Sequence, residues 1–169
     1  MNGNARASRL FALTGAHGYA FAYAAIAMLA VFVHLFKLTS VPYGLHIDEM
    51  TMGYNAMSIA RYGVSANLVR LPVYFDAIGG QSALYTYICA LLIKIGGVSV
   101  WAYRLPGAVF AFLTIVCGTL ISREDVGRNA ALIGAALLTI LPYFVMQSRF
   151  GLDCNLDLGA STTALYCLV

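Results

Sequence analysis

The chain has 169 residues, of which 61% are hydrophobic and only 10% are charged. An average soluble domain is nearer half apolar and a quarter charged, so this composition excludes an ordinary soluble domain and indicates a protein that lies in lipid. The net charge of +3 is small, and its basic residues are scattered, which argues against nucleic acid as a partner. We therefore expect an integral, multi-pass, all-α membrane protein whose first partner is the lipid bilayer.

The first predicted span, at about 18–38, follows two basic residues, Arg6 and Arg9. Its apolar run is too long for the hydrophobic region of a usual signal peptide, and no small-residue cleavage site follows it. About 19 residues of helix cover roughly 28 Å, which is enough for the hydrocarbon core. We predict an uncleaved signal anchor, with the arginines in the cytoplasm and the end of the helix outside the cell.

Two short helices are predicted in the mixed region that follows, at about 47–62 and about 82–95. Met50, Tyr54 and Met57 recur at helical spacing in the first helix. The second helix contains an apolar run of about 11 residues, which is roughly 16 Å of helix or half of the hydrocarbon core. Both are expected to be juxtamembrane helices in a long first extracytoplasmic loop.

Later apolar runs predict further spans at about 105–121, about 130–146 and about 156–169. The last run holds only about 13 of the roughly 20 apolar residues that a crossing needs. A chain end inside lipid would leave a charged carboxylate and unpaired carbonyl groups there. We therefore expect residues 1–169 to form a single partial transmembrane domain of a longer protein.

The two polar clusters of the chain, Asp48-Glu49 and Arg149 with Asp153, can cooperate only if they lie on one side of the membrane. They share the outer side if the apolar run at 83–93 does not cross, and they lie on opposite sides if it does. The distribution of basic residues does not decide between these topologies, because each places several of them inside. The short length of the run favours the topology in which it does not cross.

Each cluster has a chemical and a structural interpretation. Asp48 and Glu49 suit a general base or a metal site, but they also suit an N-cap and the first turn of a helix. Arg149 suits a phosphate contact and Asp153 a second carboxylate, but an interfacial arginine and a helix cap give the same pattern. Both interpretations stay open at the level of the residues.

Further candidates carry the same ambiguity. Lys94 and Arg104 are either phosphate ligands or interfacial anchors. Gln81 is either a sugar contact or part of a helix cap, and Tyr54 and Tyr85 either line a sugar site or belong to an aromatic belt at the membrane surface.

The order of these motifs resembles the N-terminal region of GT-C membrane glycosyltransferases. The branch it resembles is the one shared by protein O-mannosyltransferases and bacterial aminoarabinose transferases (glycosyltransferase family 39-like). The resemblance spans about 41–160 and rests on segments that occur in this order: Gly44-Leu45-His46-Ile47-Asp48-Glu49, Gly53-Tyr54-Asn55-Ala56, Leu71-Pro72-Val73-Tyr74-Phe75, Gln81-Ser82-Ala83-Leu84-Tyr85, Tyr103-Arg104-Leu105-Pro106-Gly107 and Ser148-Arg149-Phe150-Gly151-Leu152-Asp153.

The resemblance implies an enzyme of the cell envelope, facing outwards from a bacterial plasma membrane. Such enzymes transfer a hexosyl or pentosyl group from a polyprenyl-phosphate donor to an acceptor, which the sequence does not name. By this resemblance the catalytic set is Asp48, Glu49 and Asp153, which would also hold a divalent metal ion if one is used. The remaining site residues are the phosphate candidates Arg149, Arg104 and Lys94, and the sugar or acceptor candidates His46, Tyr54, Gln81 and Tyr85.

One position departs from the family pattern. Some relatives carry a Glu-Lys pair before the second short helix, and this chain has Gly80-Gln81 there.

Two alternatives to an active enzyme remain: a non-catalytic membrane module, such as a transporter segment or an assembly subunit, and an inactive truncated fragment. Ionisable residues gather at the span ends, with His34 the main exception, and this distribution counts against transport.

Overall fold

A computed structural model describes residues 16–76 and 80–168 of the chain. Seven helices and one two-stranded hairpin lie within these residues, and they confirm an all-α membrane protein. The predicted basic flank at Arg6 and Arg9, and part of the predicted loop at 77–79, lie outside the described residues. The elements are α1 (Ala16–Leu35), α2 (Ile47–Tyr62), β1 (Tyr74–Phe75), β2 (Gln81–Ser82), α3 (Ala83–Gly96), α4 (Val100–Asp125), α5 (Arg128–Ile140), α6 (Pro142–Arg149) and α7 (Cys154–Leu168).

Among the described residues, two helices are individually long and apolar enough to cross a membrane, at Gly18–Leu35 and Val100–Asp125. The helices α5 and α6 qualify together as one broken span, bent by 58°. The sequence predicted one helix at about 130–146, whereas the structure ends α5 at Ile140 and starts α6 at Pro142. Proline lacks an N–H and clashes with the preceding turn, so it suits the first turn of a new helix.

The helix α2 has the predicted bounds because it has a strong signal at each end. His46 is the N-cap, and its side chain and that of Glu49 form a reciprocal capping box with the backbone. Gly63 ends the helix in a left-handed conformation with φ of 72°. The predicted structural alternative placed the N-cap at Asp48, and the capping box frees the Asp48 carboxylate from that task.

The helix α3 is 14 residues long, or roughly 21 Å, which falls short of the hydrocarbon core. Its buried face packs against α2 and α4 and forms the larger hydrophobic core. That core includes Met52, Ala56, Tyr85, Cys89, Ala90, Ile93, Ala102 and Tyr103. Because α3 is packed on α2, the region between α1 and α4 forms one compact unit at the N-terminal end of α4.

The central helix is α4, which contacts α1, α3, α5, α6 and α7. Its approach to α7 is close because Gly159 lies against the backbone of Phe110, where a β-carbon would overlap the carbonyl group. Ala30, Ile115 and Ala135 form a second core between α1, α4 and α5. This packing fixes the segment between α6 and α7 beside the start of α2.

Candidate active site

A buried ion pair between Glu49 and Arg104 lies at the centre of the candidate site. Both side chains are fully buried. Arg104 Nε donates to Glu49 Oε1 at 2.9 Å, and Arg104 Nη2 donates to Glu49 Oε2 at 3.1 Å. This two-bond geometry is the strongest form of an arginine–carboxylate pair, and it joins α2 to α4.

The remaining N–H groups of Arg104 bind the link between α1 and α2. Nη1 donates to the carbonyl groups of Leu38 at 3.1 Å and Pro42 at 2.9 Å, and Nη2 donates to that of Gly44 at 2.6 Å. A guanidinium has five N–H donors, and all five are engaged here. Arg104 therefore has no donor left for the phosphate contact that the sequence suggested, and the geometry gives it a structural role.

Both carboxylate oxygens of Glu49 are likewise fully engaged in hydrogen bonds. Besides Arg104, its Oε1 accepts from the backbone N–H of Gly151 at 2.7 Å and its Oε2 from that of His46 at 2.9 Å. A β-carbon at position 151 would lie 2.6 Å from the Tyr103 carbonyl oxygen, so glycine permits this approach. Glu49 holds the α6–α7 link against α2, and its oxygens are not free for a proton or a metal ion.

A cavity of about 240 Å³ opens beside this ion pair. It brings together three of the predicted site residues, Asp48, Gln81 and Asp153, in one wall. We call it the acidic pocket. Its remaining lining residues are Met52, Gly80, Leu152 and Cys154. The two carboxylate segments therefore meet at one end of the molecule, which is the arrangement that a joint site requires.

The two acids of the pocket have different partners. Asp153 Oδ2 accepts from the backbone N–H of Ser82 at 2.6 Å, and its Oδ1 accepts from that of Cys154 at 2.9 Å. The Asp48 carboxylate lies 3.3 Å from His46 Nδ1 and is 44% exposed. Asp48 is thus the acid with free acceptor capacity, whereas Asp153 also ties the hairpin to the start of α7.

Gln81 contributes a third acceptor to the pocket. Its Nε2 donates to the backbone carbonyl of Asp48 at 3.2 Å, which fixes the amide orientation because a carbonyl only accepts. Its Oε1 is buried and has no hydrogen-bond partner among the described residues. A buried acceptor without a donor is costly, so the pocket suits a ligand that brings hydroxyl groups.

A divalent metal on Asp48, Glu49 and Asp153 does not fit this geometry. Across residues 16–76 and 80–168, no group of three or more His, Cys, Asp or Glu side chains could hold a metal ion. Glu49 is turned towards Arg104, so the three carboxylates do not share one centre.

A second arginine, Arg149, lies beside the ion pair at the end of α6. Arg149 is only 6% exposed, and its Nη2 donates to the Phe36 carbonyl. The Nε of Arg149 has no partner in the described part of the chain. The Arg149 guanidinium lies close enough to Arg104 for the two positive charges to repel each other. One carboxylate therefore stands against two guanidinium groups, which leaves a buried positive charge and favours an anion there.

His34 adds polar character to the same end of α1. Its Nδ1 lies 2.6 Å from Ser148 Oγ, and that hydroxyl donates to the Val145 carbonyl at 2.8 Å. His34 Nδ1 is therefore the donor, and its buried Nε2 is an acceptor with no partner among the described side chains and backbone.

Like Glu49, Arg104, Arg149 and His46, the predicted site residues Tyr85, Tyr54 and Lys94 do not line the acidic pocket. Tyr85 is fully buried; its hydroxyl donates to the Tyr103 carbonyl at 2.8 Å and accepts from the Gly107 N–H at 3.1 Å. Burial raises the pKa of the Tyr85 phenol well above its usual value, and its role is in packing. Tyr54 lines a separate cavity on the other side of α2. Lys94 is exposed near the far end of α3, roughly 16 Å from its start.

Two features of the site were missed by sequence reasoning. The pairing of Glu49 with Arg104 joins residues 55 positions apart, and no local pattern connects them. The role of Gly151 as a donor to Glu49 was also missed, although a glycine between Arg149 and Asp153 signals a close backbone approach.

Comparison with known proteins supports a membrane glycosyltransferase. The family model described as dolichyl-phosphate-mannose-protein mannosyltransferase matches residues 81–169, which is more than half of the chain. The match includes Gln81, Arg104, Arg149 and Asp153 and begins after the acidic pair of α2. No curated protein and no solved structure matches the chain. The chain belongs to the dolichyl-phosphate-mannose-protein mannosyltransferase family, a group of membrane glycosyltransferases of the GT-C type.

Proposed function

We propose that the acidic pocket transfers a sugar from a polyprenyl-phosphate donor to an acceptor hydroxyl. The observation that carries the proposal is the division of charge around the start of α2. The pocket has two carboxylates and, among its described lining residues, no cationic side chain. The buried group of Glu49, Arg104 and Arg149 next to it has an excess positive charge. Glycosyl transfer needs this polarity, because a proton leaves the acceptor while negative charge grows on the departing phosphate.

Asp48 acts as the general base in this proposal. Its carboxylate is half-exposed and in contact with His46, whereas both oxygens of Asp153 already accept backbone hydrogen bonds. The acceptor oxygen attacks the anomeric carbon as its proton passes to Asp48. The bond from that carbon to the phosphate oxygen breaks, and the electron pair leaves with the polyprenyl phosphate. A single displacement inverts the anomeric centre.

Arg149 receives the leaving phosphate. This role is supported by the burial of the Arg149 side chain, whose Nε has no hydrogen-bond partner among the described residues. The guanidinium also has no ion pair among those residues. Arg104 and Glu49 act as positioning residues, since they hold α2, α4 and Gly151 in register. Gln81 Oε1 and His46 then orient hydroxyl groups of the sugar or the acceptor.

The lipid tail of the donor has a neighbouring cavity to occupy. A cavity of about 200 Å³ lies between α4, α6 and α7, and Cys154 lines both this cavity and the acidic pocket. Its walls include Ala111, Phe144 and Leu158. The polar side chains of Thr114, Gln147, Ser148 and Asn155 also line this cavity. A partly apolar cavity that adjoins the acids suits the first part of a lipid tail whose head reacts in the acidic pocket.

The site is proposed to face the outside of a bacterial plasma membrane. Among the described residues between the two acidic segments, the candidate crossings are α4 and the broken pair α5–α6, since α3 is too short. An even number of crossings puts Asp48 and Asp153 on one side. The first predicted span, with its basic flank in the cytoplasm, makes that side the outer one.

The test is Asp48→Asn, assayed in membranes that carry the full-length protein with polyprenyl-phosphate mannose as the first donor. Loss of a general base lowers the rate by roughly 10²- to 10⁴-fold. Asp125→Asn is the matched control, because Asp125 is exposed at the other end of α4 and should leave the rate unchanged. Wild-type transfer by Asp48→Asn would overturn the proposal, provided that both variants reach the membrane in equal amounts.

A further inference from the structure

The segment 68–73, between α2 and the hairpin, presents an apolar surface that no described residue covers. Leu68 is 81% exposed and Val73 is 90% exposed, and Val69 and Leu71 are more than half exposed. The base of this segment is well fixed, because Ser65 Oγ accepts from the Val69 N–H and Val64 pairs with Arg70. The apolar tip is therefore held outwards by a defined backbone.

The backbone of this tip is also strained. Leu68 and Leu71 both have positive φ, 64° and 46°, a region that disfavours residues with a β-carbon. Glycine or asparagine would adopt this conformation at lower cost. Two leucines that combine a strained backbone with an exposed side chain are unfavourable in water, which favours a cover from outside the described residues.

An apolar stripe on α3 continues the surface. Leu84, Leu91 and Ile95 lie on one helical face and are all exposed. Tyr87 borders that face, and its hydroxyl donates to the Pro72 carbonyl at 2.8 Å. The segment 68–73 is thus tied to the side of α3 that carries the stripe.

The charges beside this surface indicate what covers it. Arg70 and Lys94 are exposed, and neither has an ion-pair partner in the described residues. Asp76 is the one acid in the stretch from 64 to 76. Apolar side chains beside unpaired basic ones are typical of elements that lie in the headgroup region of a membrane.

We propose that the segment 68–73 and the exposed stripe of α3 together dip into the membrane surface and favour anionic lipid headgroups through Arg70 and Lys94. The segment then anchors the hairpin that carries Gln81 and holds the acidic pocket close to a lipid-borne substrate. The membrane contact itself does not depend on glycosyl transfer, whereas its consequence for the substrate rests on the proposed function.

The test is an environment-sensitive NBD label at a single cysteine. Leu68→Cys and, separately, Leu71→Cys are made in a chain in which Cys154 and Cys167, the exposed thiols, are serine. Cysteine keeps a β-carbon, so the backbone cost is unchanged. The full-length protein is placed in nanodiscs of phosphatidylcholine with or without phosphatidylglycerol. The control label is at Asp125→Cys, the exposed last residue of α4.

We expect blue-shifted emission at 68 and 71, quenching by lipids with brominated acyl chains, and protection from aqueous iodide. The shift should increase with phosphatidylglycerol, decrease in Arg70→Gln and return in Arg70→Lys. Iodide quenching equal to that at 125 would overturn the proposal. A blue shift without bromine quenching would overturn it as well, because a protein segment would then be the cover.

Discussion

Asp48 and Glu49 are adjacent in the sequence, yet the structure gives them opposite surroundings. Glu49 is fully buried and accepts four hydrogen bonds, two from Arg104 and two from backbone N–H groups. Asp48 is 44% exposed and lines the acidic pocket. Successive residues of a helix point about 100° apart, so one turn of α2 serves both the core and the pocket. An acidic pair at a helix start can therefore hold one structural and one reactive acid.

The largest effect should follow from breaking the buried pair with Glu49→Gln. The variant leaves the Arg104 charge buried without a carboxylate, which costs about 3–5 kcal/mol of unfolding free energy. Denaturant unfolding in detergent measures the loss. Asp48→Asn is the matched control and should stay within about 0.5 kcal/mol of the wild type, because its side chain is half-exposed.

The double variant Glu49→Gln with Arg104→Met sharpens this comparison. Removing both charges should recover part of the loss, since the charge of Arg104 no longer stays buried without its carboxylate. A Glu49→Gln variant as stable as Asp48→Asn would contradict the division of roles between the two acids.

Asp153 stands between these extremes, and Asp153→Asn should have an intermediate effect. Its two oxygens accept from Ser82 and Cys154, and an amide offers only one oxygen and no charge. We expect a loss of about 1.5–3 kcal/mol, the value of hydrogen bonds to a charged group, together with reduced sugar transfer. Asp157→Asn, exposed on the helix that follows Asp153, should change neither stability nor transfer.

A smaller effect is expected from Gly151→Ala. The added β-carbon would lie 2.6 Å from the Tyr103 carbonyl oxygen and 3.2 Å from Glu49 Oε1. The link that carries Asp153 must shift, which costs about 1–3 kcal/mol. Gly134→Ala is the matched control, because nothing lies within 4 Å of its β-carbon position. Equal unfolding midpoints for the two variants would show that the approach of Gly151 to α4 is not needed.

The helices could be predicted from the sequence because their signals are local. The bounds of α2 follow from His46, Glu49 and Gly63, and α3 is recognisable by its apolar run and its following glycines. The break between α5 and α6 was missed because Pro142 lies inside the apolar run that predicted one span at about 130–146. The sequence left open whether Asp48 and Asp153 lie close together, because the answer depended on whether the run at 83–93 crosses the membrane.

The roles of charged residues were harder to predict than the elements that carry them. Glu49 and Arg104 were expected at a catalytic and a phosphate site, and the structure pairs them with each other. The two residues are 55 positions apart and come into contact through tertiary packing. A single sequence has no local pattern that predicts such a contact. That Arg149 has no ion pair among the described residues likewise depends on everything that surrounds its side chain.

The smallest effects on stability concern the thiols, which differ in their access to reagents between the acidic pocket and the core. Cys154 is exposed and lines both the acidic pocket and the neighbouring cavity, whereas Cys89 is buried. Burial raises the pKa of the Cys89 thiol to about 12. A maleimide should therefore modify Cys154 at neutral pH and leave Cys89 intact, as peptide mass spectrometry would report. Modification should also block sugar transfer in the wild type and have no effect on Cys154→Ser.

The raised pKa of Cys89 also sets a pH dependence for the fold. The thiol keeps its proton to a higher pH in the folded chain than in the unfolded one, where the pKa of a cysteine thiol is near its ordinary value of 9.0. Its contribution to stability is complete below about pH 9 and is lost as the pH rises towards about 12. Cys89→Ala removes this dependence, so the difference in unfolding free energy between wild type and variant should change between pH 8 and pH 10.5. A constant difference would mean that the thiol is not buried as the packing of α3 on α4 requires.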